Sequence, residues 1–113
     1  MTVNEKIVQA LSSFEIPITA DFFGGGKKEY FTFNYASDRA ENFGDDKPLN
    51  AVASMQIHYF LPAEKDYLSI KKQIRNALFA AGFTYPVVTH LTEDKKIRHL
   101  IFECEIENDD ELM

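Results

Sequence analysis

The sequence predicts an α+β domain: two helices packed on one face of a mostly antiparallel or mixed sheet of about five strands, in the order αβββαββ. Three observations lead there. Apolar residues recur at helical spacing in two stretches, one at the start of the chain and one after the third strand-like segment. Period-two alternation marks five other stretches. The joints between them are short and rich in Gly, Pro or charge, with one exception after Tyr35. At 113 residues, 45 % hydrophobic, the chain can bury a single core and is read as one domain over residues 1–113.

The string Thr2-Val3-Asn4-Glu5 fits a capping box, in which the Thr2 hydroxyl and the Glu5 carboxylate satisfy free N–H groups at a helix start. Val3, Ile7, Leu11 and Phe14 then predict a helix over 3–12, and Pro17 forbids its continuation. Ile16, Ile18, Ala20 and Phe22 alternate with polar residues, predicting a strand that ends near Phe23. The run Gly24-Gly25-Gly26-Lys27-Lys28 reads as a flexible turn, so residues 16–35 are expected to form a hairpin whose second strand is Tyr30-Phe31-Thr32-Phe33-Asn34-Tyr35. A third strand is expected over 51–61. Ala51, Ala53, Met55, Ile57, Tyr59 and Leu61 share one face, Ser54, Gln56 and His58 the other, and Pro62 closes it.

Tyr67, Ile70, Ile74, Leu78 and Ala81 form the apolar stripe of the second helix, with Lys65, Lys71, Lys72 and Arg75 outward. Gly82 suits a left-handed helix end, and Phe83 can fold back on the last turn. Strands over 85–92 and 97–107 follow, joined by Glu93-Asp94-Lys95-Lys96. A symmetric turn there sets Thr92 opposite Ile97. It also pairs Val87 with Phe102, Thr89 with Leu100 and Tyr85 with Cys104 on one face, and Val88 with Ile101 and His90 with His99 on the other. Both faces are then partly apolar while the helices cover one, leaving apolar surface for a partner subunit. The acidic tail from Asn108 is expected to fray. The expected core is Ile7, Leu11, Ile18, Phe31, Phe33, Ile57, Ile70, Ile74, Leu78, Phe102 and Cys104.

The exceptional joint runs over residues 36–50, about fifteen residues without apolar periodicity, and is read as a long loop. Structureless loops of roughly 12–15 residues are uncommon in compact domains and usually functional. Phe43 sits among charges in its middle, which points to a loop that docks onto something. Asn42, Phe43, Asp45, Asp46 and Lys47 are therefore the expected interaction residues, joined by Lys27 and Lys28 at the glycine-rich tip.

A formal charge of −6 and a pI near 5.0 argue against a nucleic-acid binder that works by neutralising phosphates. The single cysteine, Cys104, excludes an intramolecular disulfide, fits a reduced cytosolic setting, and alternates with Phe102 and Ile106 as a buried, inert thiol. No secretory leader is read in Met1-Thr2-Val3-Asn4-Glu5-Lys6, and no apolar run approaches a membrane span. The Gly24–Lys28 run lacks the spacing and the Ser or Thr of a phosphate-binding loop. His90 and His99, with His58 on a neighbouring strand, are weighed as a metal pair and read instead as a polar patch, since metal sites want three or four ligands. The carboxylates of Asp45-Asp46 and Asp109-Asp110-Glu111 are read as solvated. No Ser-His-Asp or Cys-His arrangement can be argued, so neither enzyme activity nor a cofactor or metal is expected.

Taken in order, Tyr30-Phe31-Thr32-Phe33-Asn34-Tyr35, Asn42-Phe43-Gly44-Asp45-Asp46-Lys47-Pro48, Gln56-Ile57, Asp66-Tyr67 and Glu93-Asp94-Lys95-Lys96-Ile97-Arg98-His99 resemble a small known family. It is the tail-completion, or tail-terminator, proteins of the head–tail joining region of long-tailed phages and prophages of Gram-positive bacteria. The likeness runs from Ile16 to Ile106 and rests on a strand–loop signature and a closing hairpin. It implies a small subunit assembling as a hexameric ring on the tail end, with the tail-tube protein and the head-connector or stopper protein as partners. It also implies host cytoplasm during assembly and the virion head–tail joint afterwards. In such a ring residues 36–50 would make subunit or connector contacts. A negative lumen would let DNA pass without specific binding. A dimeric α+β protein-binding adaptor unrelated to phages is the other reading of the same surfaces.

Overall fold

The computed structural model describes residues 1–21, 25–44, 47–91 and 95–108, with residues 41–44 and 47–49 described by backbone alone. Its elements follow the expected order: α1 Val3–Leu11, β1 Ile18–Ala20, β2 Tyr30–Gly44, β3 Lys47–Pro62, α2 Leu68–Ala80, β4 Val87–Leu91 and β5 Ile97–Glu107. The protein is α+β, with one five-stranded mixed sheet in the order β1-β2-β3-β5-β4.

Both helix ends are set by local chemistry. At α1, Glu5 N–H donates to the Thr2 hydroxyl and Thr2 N–H donates to the Glu5 carboxylate, each at 3.1 Å, completing the capping box. At the end of α2, Phe83 N–H donates to Leu78 O (3.2 Å) and Gly82 N–H to Phe79 O (3.1 Å), the paired bonds of a Schellman motif. Gly82 carries the motif's positive φ of 106°, a conformation L side chains rarely adopt, and Phe83 is buried as it folds back.

The core lies between the helices and one face of the sheet. Along β3, Ala51, Ala53, Met55, Ile57, Tyr59 and Leu61 are all buried, and their neighbours across the sheet supply Phe31, Phe33, Leu100, Phe102 and Cys104. Val3, Ile7 and Leu11 of α1 and Ile74 and Leu78 of α2 close the same cluster. Since the buried apolar positions of each strand share one parity, both helices cover one face, while Thr32 and His99 are buried on the other. Ile18 and Ile70 pack against the cluster while partly exposed.

Three expectations are corrected. Residues 16–35 do not form a hairpin: β1 runs parallel to β2, with Ile18 opposite Phe31 and Ala20 opposite Phe33. Pro17 O accepts from Phe31 N–H (2.7 Å) and Asp21 N–H donates to Phe33 O (2.8 Å), extending that pairing by one bond at each end. Alternation reveals a strand but not its direction, and the glycine run mimicked a tight turn.

Residues 36–44 and 47–50, the described part of the expected loop, are not structureless. They complete an antiparallel ribbon in which β2 and β3 stay paired from Tyr30 opposite Phe60 to Gly44 opposite Lys47. An extra residue enters β2 between Tyr35 and Ser37, a β-bulge, beyond which Asp38 and Ala40 sit opposite Ala53 and Ala51. Residues 36–40 are exposed, so no buried face imprints a hydrophobic period on them.

The closing hairpin is shifted by one residue. Val88, not Val87, lies opposite Phe102, and His90 lies opposite Leu100 while Leu91 faces His99. Such a slip exchanges the faces of a whole strand. It brings Val88 onto the core and leaves Val87 at 66 % exposure on the other side. The turn residues 92–94 and the tail residues 109–113 lie outside the described residues, as do Phe22 and Phe23 at the expected end of the first strand.

Strands β3 and β4 point the same way with β5 inserted between them, so β3-α2-β4 is a crossover of parallel strands. The molecule measures 54 × 25 × 24 Å, and its radius of gyration of 15.3 Å exceeds the ~13 Å of a compact chain this long. The long axis reflects the β2–β3 ribbon, which continues past the last β3–β5 pair, Val52 with Glu107.

Candidate functional site

Three surfaces stand out. The first is the ribbon itself. Beyond Ala51, which accepts a hydrogen bond from Asn108 N–H (2.8 Å), β3 has β2 as its only described strand partner. Arg39 secures the base of this arm from the face opposite the helices. Its guanidinium donates to the Ser54 hydroxyl (3.0 Å) and to the Glu105 carboxylate on β5. Both ends of that ion pair are about two-fifths exposed, so it acts as a weak clasp.

Among the expected interaction residues, Asn42 and Phe43 lie on β2 and Lys47 on β3, within this arm. Asp45 and Asp46 lie outside the described residues. Lys27 and Lys28 are exposed, but they precede β2 at its opposite end. A fifteen-residue strand separates the two groups by about 45 Å, so the structure does not bring them together.

The second surface is the sheet face turned away from the helices. Across four strands it presents Tyr30, Phe60, His99 and Leu91 in one row and Thr32, His58, Ile101 and Thr89 in the next. Phe60 stacks on Tyr30 (ring centroids 4.8 Å apart) and on His99 (4.1 Å). A polar chain crosses the same strands. Asn34 Nδ2 donates to Gln56 Oε1 (3.2 Å), which leaves Asn34 Oδ1 to accept from His58 Nε2 (2.8 Å). With a neutral ring, His58 Nδ1 then accepts from His99 Nε2 (2.9 Å). The expected His90–His99 pair is thus replaced by His58–His99, because the register slip moves His90 to the helix side. Among the described residues no group of three or more His, Cys, Asp or Glu is placed to hold a metal ion.

The third surface surrounds Tyr67 on the helix side. Arg98 stacks over its ring at 4.3 Å, Lys71 Nζ lies 5.7 Å from the ring centre, and the His90 ring meets it edge-on at 5.6 Å. Arg75 donates from Nε to Pro86 O (3.0 Å) and lies over Tyr85 at 5.0 Å. His90 is held below the ordinary imidazole value, first by burial and then by repulsion from Lys71, Arg98 and Arg75. The sequence hinted at this grouping only through cations spaced along α2; Arg98 joins them through the sheet.

The titratable groups inside the fold are structural. Burial, with the Glu105 charge, pushes the Cys104 thiol up to about 12, which makes it a poor nucleophile. The Tyr59 hydroxyl is raised by burial and by its hydrogen bond to Glu29, whose carboxylate also takes Lys65 Nζ at 2.7 Å and ties the start of β2 to the β3–α2 turn.

What these features define is an α+β protein with one sheet face covered, the other carrying a stacked aromatic row, and a paired ribbon reaching beyond the core. No protein-family model matches the chain, and no curated protein matches it significantly. Among the described residues, no helix is long and apolar enough to cross a membrane.

Proposed function

We propose that this chain is a structural subunit of a phage or prophage tail, forming a six-membered ring with its own copies on the tail tube and offering the joining surface for the head connector. The observation that carries this reading is the β2–β3 ribbon. A two-stranded hairpin by itself is marginally stable in water, so an arm extending past its own sheet gains most from a surface that receives it. In the ring, that surface belongs to a neighbouring subunit or the connector, with Asn42, Phe43 and Lys47 on the arm and Asp45 and Asp46 between its strands. The resemblance in Tyr30–Tyr35, Asn42–Pro48 and the closing hairpin supplies the identity of the partners. A net charge of −6 suits a lumen through which DNA passes without adhering.

The decisive experiment is electron microscopy of tails from a strain lacking the gene. Overlong, headless tails support capping, whereas tails of normal length joined to heads refute it. The stacked row of Tyr30, Phe60 and His99 on the face without helices favours a second reading, a dimeric adaptor meeting its copy face to face. Two-fold dimers in place of closed rings would select it.

A further inference from the structure

We propose that the cationic cluster of Lys71, Arg75 and Arg98 is a docking site for the acidic segment Asp109-Asp110-Glu111 of a second copy of this chain. The inference deepens the ring reading and rests on it for biological setting, but the argument is one of charge and distance.

Three fixed cations from two elements converge around Tyr67 and Tyr85. Among the described residues none of them forms an ion pair with Asp or Glu; the ion pairs formed elsewhere are Arg39 with Glu105 and Lys65 with Glu29. Among the described residues Arg98 Nε is buried without a hydrogen-bond partner, and the guanidinium lies over the Tyr67 ring. Uncompensated positive charge is unusual in so acidic a chain, and its field is felt at His90. The cluster borders β4, the outermost strand of the sheet, so an approaching segment meets no further strand.

The complement lies in the same sequence. Residues 64–98 hold seven Lys or Arg (Lys65, Lys71, Lys72, Arg75, Lys95, Lys96, Arg98) against four Asp or Glu (Glu64, Asp66, Glu93, Asp94). The rest of the chain holds five against fourteen, ending in Glu103, Glu105, Glu107, Asp109, Asp110 and Glu111. Geometry makes the contact intermolecular. From Arg98, β5 runs nine residues to Glu107, about 30 Å. Glu111 follows Asn108 by three residues, which span at most ~11 Å. A subunit's acidic segment therefore falls short of its own Arg98 and of Lys71 over the same Tyr67 ring, although Arg75 beside Pro86 lies nearer, so only a second copy can engage all three cations. Such a contact joins two different patches, head to tail, the type of interface that closes into rings.

The test adds a synthetic peptide with the sequence of residues 105–113 to the isotopically labelled full chain and follows its resonances. The expected result is saturable shifts around Lys71, Arg75, His90 and Arg98, with a Kd of about 1 mM or tighter, enough when a neighbour supplies an effective concentration of that order. The His90 pKa rises on binding, because nearby carboxylates favour the imidazolium. Binding weakens at least about tenfold between low and physiological salt. Lys71→Glu with Arg75→Glu abolishes it. Changing the peptide's three acids to Asn, Asn and Gln weakens it at least about tenfold without touching the protein's fold. The proposal is overturned by an absence of shifts at low salt, by equal binding of the amide peptide, or by inorganic phosphate producing the same saturable response. Peptide binding combined with normal tails in the deletion strain removes the capping reading and keeps this site. Overlong tails with no peptide binding do the reverse.

Discussion

The two halves of the β2–β3 pair use the same backbone ladder and differ in everything else. In the half nearest the helices, β3 lies between β2 and β5, and every second residue from Ala53 to Leu61 is buried. In the far half, from residue 41 outward, each strand has the other as its only described partner, while the exposed residues 36–40 of β2 lie opposite the last β3 residues that still reach β5. What is described of the ribbon is its backbone ladder, whereas the core half is held in addition by removal of apolar surface from water. Net stabilisation per hydrogen bond is about 1 kcal/mol and is offset by backbone ordering, so burial decides which half can stand alone.

The largest effect should come from the core half. Phe102→Ala removes a fully buried ring and is expected to cost about 3–5 kcal/mol in chemical denaturation. A cost below 1 kcal/mol would mean that the sheet face is not packed as described. Gly82→Ala comes next, at about 1–2 kcal/mol, because φ of 106° strains any Cβ although Ile106 leaves ordinary contact space at 3.7 Å. Thr2→Ala should cost about 1 kcal/mol through the lost cap. Its partner Glu5 is held below the ordinary carboxylate value of 4.5 by the Thr2 N–H first and then the Thr2 hydroxyl. The stability that Glu5 contributes is therefore present above that value and fades as pH falls through the lower folded one. Acid titration of α1 amide protection in wild type and Glu5→Ala should differ most above pH 4.5 and draw together only as pH falls through the lower folded value.

Effects in the arm should be smaller on the fold and larger on assembly. Arg39→Ala removes the clasp to Ser54 and Glu105, costs under about 1 kcal/mol, and speeds amide exchange in the ribbon. Phe43→Ala should leave global stability within about 0.5 kcal/mol while weakening ring formation or tube capping. If it unfolds the monomer, Phe43 belongs to the core and the contrast between the halves collapses.

How much of this was legible follows the same division. Where a residue faces a buried layer, its neighbours betray it. The capping box at Thr2 and Glu5, the apolar stripe from Ile70 to Leu78, the Gly82 helix end and the buried row of β3 were all readable. Where both faces meet solvent, as at residues 36–40, sequence carries no period and an ordered strand reads as a loop. Strand direction and register depend on partners distant in sequence, so alternation alone makes β1 look like a hairpin strand and sets His90 one residue out of place. The Lys71, Arg75 and Arg98 cluster stayed hidden for the same reason, since α2 and β5 meet only in three dimensions.

The extra residue between Tyr35 and Ser37 reverses the parity of β2. Odd-numbered side chains point toward the helices up to Tyr35, and even-numbered ones do so afterwards, which is why Arg39 can span β3 to Glu105. Removing Ala36 would restore unbroken alternation while each later residue kept its partner on β3, so Arg39 would still reach Glu105. What the extra residue adds is the local bend and extra twist of a bulge, which set the direction in which the distal arm leaves the sheet.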